Sequence, residues 1–179
     1  MLNKCITSEE PDLHWSFLDF KGKTVLDLGC GKFYSKISTA EWFVKSGASK
    51  IIGIDLGVET FHHDKFTYHR LNIDSSEKLK DLIETYKPEV IKADIEGAEV
   101  YFNDLSIEEL FKVKEIAVEY HSNDLKLGFE SKLLEWGFKI IDTYGLFTED
   151  INRVGVIHAK KQNENNISNI RRCTYHRPN

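Results

Sequence analysis

The segment Val25-Leu26-Asp27-Leu28-Gly29-Cys30-Gly31, with Ile51-Ile52-Gly53-Ile54-Asp55 downstream of it, constrains the fold more than any other part of the chain. An apolar strand opens into a glycine turn, and a second apolar strand ends in a carboxylate. Glycines at a strand end let the backbone turn sharply and let a ligand lie against it, because a Cβ there would fill the space. The separation suits one helix between two neighbouring parallel strands, which puts Asp55 beside the turn at the carboxyl edge of a sheet, where an acid reaches a ribose. Gly29-Cys30-Gly31-Lys32-Phe33-Tyr34 starts like a dinucleotide fingerprint but has Tyr34 near the place of its third glycine. That glycine allows close packing of helix on strand at a pyrophosphate site, so its absence weakens a nicotinamide reading and favours a ligand without pyrophosphate.

Short apolar runs then alternate with amphipathic segments, the pattern of strand and helix units on a parallel sheet. Strands are predicted over residues 24–27, 50–55, 66–72, 90–94, 113–120, 139–143 and 154–160. Ile37, Ala40, Phe43 and Val44 mark a helix over 35–46 that stops at Gly47, and Leu79, Leu82, Ile83 and Tyr86 mark another between Ser75-Ser76 and Pro88. Ser106-Ile107-Glu108-Glu109 reads as a capping box opening a short helix, and residues 125–136 as a last helix ending at Gly137. The loop 144–153 has no helical period, so the strands flanking it should pair antiparallel. The expectation is an α/β, Rossmann-like, doubly wound, mostly parallel seven-stranded sheet with an antiparallel last strand. An amphipathic start around 13–20 gives a helical extension over 1–20, the ligand-binding domain spans 21–161, and 162–179 forms a polar, basic, flexible tail.

Composition sets limits on partners. With 179 residues, of which 41% are hydrophobic, the chain suits one domain, and a net charge of −5 gives no overall pull toward nucleic acid or an anionic membrane. Cys5, Cys30 and Cys173 are odd in number and scattered, which suits a reducing compartment and shows no zinc spacing. Residues 1–11 have no apolar signal core, and no segment nears the roughly 18 apolar residues of a bilayer span. A soluble, cytoplasmic protein without a membrane partner is expected.

The second informative stretch is Val90-Ile91-Lys92-Ala93-Asp94-Ile95-Glu96-Gly97-Ala98-Glu99, a buried-type strand running into carboxylates around one glycine. Strand ends at the carboxyl side of an open sheet face the ligand crevice, so Asp94 and Glu96 should lie with Gly29 and Asp55. Clustered acids raise one another's pKa and suit acid–base chemistry, metal binding or hydroxyl recognition. Glu99, Asp104, Glu108 and Glu109 read in part as solvated helix faces.

The element order resembles the class I S-adenosylmethionine-dependent methyltransferase fold. The stretch Asp94-Ile95-Glu96-Gly97-Ala98-Glu99 resembles the Asp-Val-Glu-Gly-Ala-Glu signature of the FkbM-like methyltransferases, and Glu119-Tyr120-His121 and Gly137-Phe138 follow in that family's order, over roughly residues 21–160. Two departures stand beside it: Asp55-Leu56-Gly57 replaces the Glu-Pro of many members, and the chain is shorter than many of them. The resemblance implies S-adenosylmethionine as cofactor and methylation of a hydroxyl oxygen of a sugar, other glycan or small metabolite. It places Asp27, Gly29, Cys30 and Gly31 at the methionine part, Asp55 and Leu56 at the ribose, Ile73 and Asp74 at the adenine, and Asp94 at the inner edge of the cofactor. Physically, an aspartate accepts both vicinal hydroxyls, Asp74 accepts from an exocyclic amine, and Ile73 covers a ring face. Asn72-Ile73-Asp74-Ser75-Ser76 also reads as a helix cap.

A sulfonium methyl is already activated, so the protein must chiefly align the acceptor and remove its proton. His121, at the end of the strand 113–120, is the first candidate base; Asp94 and Glu96 are the alternatives, and Glu119 either orients His121 or faces away. A divalent ion bridging Asp94, Glu96 and His121 suits the oxygen-rich donors, but a metal-free site is the expectation. Amine methyltransferases acting on adenine or glutamine carry an Asn/Asp-Pro-Pro-aromatic segment at this strand end, which Asp94-Ile95-Glu96-Gly97 lacks, and this favours a hydroxyl acceptor. Phe61-His62-His63-Asp64 and His69 read as surface loop. Arg171, Arg172, His176 and Arg177 keep an RNA or other macromolecular acceptor open as the alternative, beside a non-catalytic S-adenosylmethionine-binding module.

Overall fold

The structure, a computed structural model, describes residues 5–6, 15–31, 38–146 and 153–162. Its centre is the strand β2 (Thr24–Leu28), every residue of which except the first is buried. In chain order the other strands are β1 (Cys5–Ile6), β3 (Lys50–Asp55), β4 (Phe61–His62), β5 (Phe66–Arg70), β6 (Val90–Ala93), β7 (Glu115–Tyr120), β8 (Phe138–Leu146) and β9 (Gly155–Lys161). They form one sheet in the order β1-β8-β9-β7-β6-β2-β3-β5-β4. β2 pairs in parallel with β3 on one side and β6 on the other, while β9 runs antiparallel to both β7 and β8. The chain therefore leaves β2 toward β5 and returns to β6, so the ligand crevice falls at the carboxyl ends of β2 and β6.

The expected seven strands are present, with the last one antiparallel, but the sheet has nine. Two-residue edges account for the difference: β1 pairs in parallel with β8, and β4 antiparallel with β5. The expected helical extension over 1–20 is corrected where it is described. Residues 5–6 are strand, and residues 15–20 form turns, with Leu18 N donating to Trp15 O at 3.1 Å. This segment is tied to the sheet by polar contacts as well as by burial of Trp15, Leu18 and Phe20, since Asp19 N donates to both oxygens of Glu115 at 3.2 Å. Glu115 in turn meets His158 Nε2 at 2.6 Å.

Among the described residues, three α-helices follow the serines that cap them. In α1 (Thr39–Lys45), α2 (Ser76–Tyr86) and α3 (Asn123–Glu135), the hydroxyls of Ser38, Ser75 and Ser122 accept the amides of Glu41, Lys78 and Leu125 at 3.1, 3.4 and 3.2 Å. Each satisfies an amide that the first helical turn leaves without a partner. α2 stops where Lys87 turns left-handed (φ 47°) ahead of Pro88.

The short helix expected from Ser106 does not form. Its capping box closes, with Ser106 N on Glu109 Oε2 at 2.6 Å and Glu109 N on Ser106 Oγ at 3.5 Å, but residues 107–112 remain turns. Leu110 is buried there but Ile107 and Phe111 are exposed, too narrow an apolar face to repay extending the turn into a helix. The ordered helical piece in this crossover is instead the 3-10 helix Ala98–Asp104.

The sheet carries a core on each face. Leu26, Leu28, Ile52 and Ile91 pack with Leu79 and Ile83 of α2 and Phe129 and Leu133 of α3; Val25, Ile51 and Val90 pack with Trp15, Phe20 and Phe43. Residues 35–37 of the first predicted helix, 147–152 of the predicted loop and 163–179 of the predicted tail lie outside the described residues. No helix among the described residues is long and apolar enough to cross a membrane.

Candidate active site

The turn after β2 is built around two glycines with different reasons to be glycine. Gly29 has φ +76°, and a Cβ on it would overlap the carbonyl oxygen of Asp94. A Cβ on Gly31 would meet Asp55 Oδ2 at 2.7 Å. The backbone thus passes close to both neighbouring strand ends, which the parallel register of β2 with β3 and β6 brings alongside. Asp55 joins the turn directly: its Oδ2 accepts Gly31 N at 2.8 Å and its Oδ1 accepts Gly57 N at 2.6 Å. Each carboxylate oxygen keeps a lone pair for a further donor.

Asp27 and Cys30 shape this turn from beneath. Both are wholly buried, so their side chains do not line the crevice. Asp27 Oδ2 accepts Thr39 Oγ1 at 2.5 Å at the start of α1, and its Oδ1 lies 3.2 Å from Lys92 Nζ. The Cys30 thiol sits against Gly53 and Tyr68, where a Cβ on Gly53 would come within 2.7 Å of the sulfur. Burial, with Asp27 adding to it, pushes that thiol's pKa well above its ordinary value.

Lys92 was not singled out by sequence reasoning, and it is the strut of the site. It is 1% exposed; its Nζ donates to Gly29 O at 2.7 Å and Leu28 O at 3.3 Å and lies 3.7 Å from Asp94 Oδ2. The ammonium also stands 5.1 Å from the centre of the Trp15 ring. Burial disfavours its charge, but Asp27 and Asp94 outweigh burial and hold its pKa above the ordinary value. The Asp27 carboxyl is itself pushed up by burial, against the pull of Lys92.

On the other side of the turn, Asp94 leads into Glu96 and Gly97, both with left-handed backbone (φ 52° and 102°). Glu99 fastens this loop by accepting Ile95 N at 2.8 Å and Gly97 N at 2.7 Å. Its side chain is fully buried, which corrects its assignment to a solvated face. His121 follows β7, and its Nε2 lies 3.9 Å from Glu96 Oε2, 4.0 Å from Glu99 Oε1 and 4.0 Å from Glu119 Oε1. Glu119 faces this cluster rather than away from it. Burial, the Asp94 carboxylate and then the Glu96 carboxylate push its pKa up to about 9, against the pull of Lys92. The candidate acid–base residues His121, Asp94 and Glu96 therefore converge, with Glu119 and Glu99 added.

The adenine candidates are less exposed to ligand than their spacing implied. Ile73 is 5% exposed and belongs to the core, while Asp74 is on the surface with Lys78 Nζ 2.9 Å away. Ser75, not Asp74, supplies the cap of α2. Leu56 is 59% exposed beside Asp55. A cavity of about 620 Å³ opens here, lined among others by Gly31, Ser38, Val44, Asp55, Phe66 and Tyr68. It exists because the β3 to β5 connection carries the edge strand β4 in place of a helix. Asp94, Glu119 and His121 lie across the Gly29 turn from it, on the β6 and β7 side. Phe61 and His62 are exposed on β4, so the surface reading of the histidine group holds for them, as edge strand rather than loop.

Strand order, switch point and antiparallel β9 together define the Rossmann-like fold of the class I methyltransferases. Among solved structures, the ribosomal protein L11 methylase of Lactobacillus delbrueckii subsp. bulgaricus matches with a TM-score of 0.51 and 14% identity, covering 82% of this chain and 74% of that one. A candidate tRNA methyltransferase of Streptococcus pneumoniae, in complex with S-adenosyl-L-methionine, matches with a TM-score of 0.51 and 16% identity over 83% of this chain and 72% of that one. In sequence, the chain is 35% identical over 83 residues to the ribosomal protein L11 methyltransferase of Klebsiella pneumoniae (strain 342), covering 46% of this chain and 26% of that protein. The Escherichia coli (strain SMS-3-5 / SECEC) enzyme of the same description is 34% identical over 89 residues, 49% of this chain and 28% of its own length. The matched stretch is thus about a quarter of the length of these curated relatives. No family model matches the chain.

Proposed function

We propose that the chain binds S-adenosylmethionine at the Gly29–Gly31 turn and transfers its methyl group to an acceptor at the Asp94, Glu119 and His121 cluster. The observation that carries this reading is the closure of the glycine turn onto Asp55, whose two carboxylate oxygens are held by Gly31 N and Gly57 N beside an open cavity. The residues fit the cofactor. Gly29, Cys30 and Gly31 offer bare backbone and Asp55 offers lone pairs for vicinal hydroxyls, with the exposed Leu56 beside it. Asp94 stands between the cofactor and acceptor sides, and Asp27 contributes from below through Lys92 and Thr39. The bound cofactor supplies an activated methyl group. The chain's own part is to align the acceptor and take its proton.

Proton removal falls to the cluster around His121. Its Nε2 is buried, has no hydrogen-bond partner among the described residues, and faces Glu96, Glu99 and Glu119. Glu96, at 83% side-chain exposure, connects the cluster to solvent.

Similarity to the ribosomal protein L11 methyltransferases supports a macromolecular acceptor, protein or RNA, ahead of the small hydroxylated acceptor implied by the FkbM-like signature. The hydroxyl reading keeps one specific support, the carboxylate and histidine cluster itself at a strand end without prolines. Thermal-shift measurements with S-adenosylmethionine, S-adenosylhomocysteine and NAD test the cofactor. Stabilisation by the first two and not by NAD is expected, and no shift with either refutes the proposal. Transfer of labelled methyl to ribosomal protein, RNA and a panel of hydroxylated small molecules then assigns the acceptor.

A further inference from the structure

Two buried carboxylates flank His121, and they differ in one respect. Glu99 is satisfied by two backbone amides, whereas Glu119, 8% exposed, accepts no backbone amide among the described residues. Its hydrogen-bonding partner is instead the Asp94 side chain, and two carboxyl groups in contact need a proton or a cation between them. His121 Nε2, 4.0 Å from Glu119 Oε1, is itself buried and without a hydrogen-bond partner among the described residues. Asp94 completes the group: one ligand atom from each of Asp94, Glu119 and His121 lies within 4.8 Å of the others. Lys92 engages Asp94 at Oδ2 and leaves its other oxygen available.

We infer that Asp94, Glu119 and His121 form a divalent-cation site at the acceptor side of the crevice. Three sources build it: the residue after β6, the carboxyl end of the interior strand β7, and the residue after β7, brought alongside by the β6 to β7 register. Metal–ligand bonds of about 2.1 Å put donor atoms roughly 3.0 to 4.2 Å apart, so the group closes by about an ångström on binding. Two carboxylate oxygens and one imidazole nitrogen are a mixed set that suits Mn²⁺, Fe²⁺ or Zn²⁺ better than Ca²⁺. Three protein ligands leave coordination positions open toward the crevice.

This deepens the reading under the proposed function and rests on it for its role, though not for its existence. With the ion bound, His121 Nε2 is a ligand rather than the base. An acceptor hydroxyl facing the ion loses its proton to the Glu96 carboxylate, the O–H electron pair staying on oxygen, because the cation lowers the hydroxyl's pKa.

The test uses the full chain and Mn²⁺ as the probe, with free Mn²⁺ counted by electron paramagnetic resonance. One bound ion is expected, with affinity reduced at least about tenfold, the usual scale of lost metal ligation, in Glu119→Gln and in His121→Ala, both checked for folding by circular dichroism. Absence of binding, or binding untouched by both variants, overturns the site. If the variants fail to fold, paramagnetic broadening in the unaltered protein decides instead: the imidazole signals of His121 broaden first. Broadening first at His62 and His63 overturns the proposal. Calorimetry with S-adenosylmethionine in the presence of EDTA separates the two ideas, since cofactor binding without Mn²⁺ binding leaves the proposed function standing and removes only the cation site.

Discussion

Replacing Lys92 by methionine keeps the length of the buried stem and removes the ammonium. The structure specifies what that leaves behind. Leu28 O still accepts Asp94 N at 3.0 Å, but Gly29 O loses its 2.7 Å donor, and Asp27 loses the cation 3.2 Å away while remaining wholly buried. Removing one partner of a buried ion pair costs about 3 to 5 kcal/mol, mainly because the surviving charge has no compensation. The lost contact with Trp15 is within that figure. Urea unfolding of Lys92→Met at neutral pH should therefore show a stability loss of about 3 to 5 kcal/mol. Adding Asp27→Asn removes the stranded charge, so the double variant should be more stable than Lys92→Met alone by about 1 to 3 kcal/mol. The thermal shift given by S-adenosylmethionine should fall in both, since Lys92 holds the carbonyl of Gly29. A loss below about 1 kcal/mol for Lys92→Met, or additive costs in the double variant, would refute the reasoning.

Further outcomes concern the turn and the surface. Gly29→Ala forces a side chain into a left-handed position against the Asp94 carbonyl; it should cost about 2 to 4 kcal/mol in urea unfolding and abolish the cofactor shift. Cys30 should resist iodoacetamide in the folded protein and react only after unfolding, as peptide mapping would show, because its thiol is buried and its pKa is raised. Glu89, bonded to Lys114 Nζ at 2.6 Å, has a folded pKa below its ordinary 4.5, Lys114 being the main cause. Its contribution is present above 4.5 and is lost as pH falls through the folded value. Glu89→Gln should accordingly cost about 0.5 to 1 kcal/mol at neutral pH and nothing in acid, measured by unfolding across that range.

Much of the sheet was legible because its strands are unbroken apolar runs, and a parallel sheet covered on both faces asks for nothing else. The serines before α2 announced their helix for a local reason, a hydroxyl within reach of the free amides, whereas the same role of Ser122 at α3 was not read from the sequence. The Ser106 box carried the same signal and no helix followed, since Leu110 is buried while Ile107 and Phe111 stay exposed. Residues 15–20 were misleading in the opposite direction: their apolar spacing imitates a helix, yet they bury the same side chains from turns held by Glu115.

The candidate site divides along a similar line. Gly29, Gly31, Asp55 and Asp94 were visible in the sequence because backbone approach demands glycine and strand ends demand little spacing. Lys92 was hidden inside an apolar strand, where a lysine ordinarily marks a solvent-facing position. Only the pairing of β2 with β6 makes it the partner of Asp27.

Thus the chain's linear pattern determined the strands, the glycine turn and the carboxylate beside it, all of which depend on neighbours in sequence. Tertiary structure alone decided that Glu119 faces His121, that Glu99 takes backbone amides while Glu119 meets Asp94, and that Asp27 lies below the crevice. Those outcomes follow from strand register and burial, which bring together residues from β2, β6 and β7 that no local spacing relates.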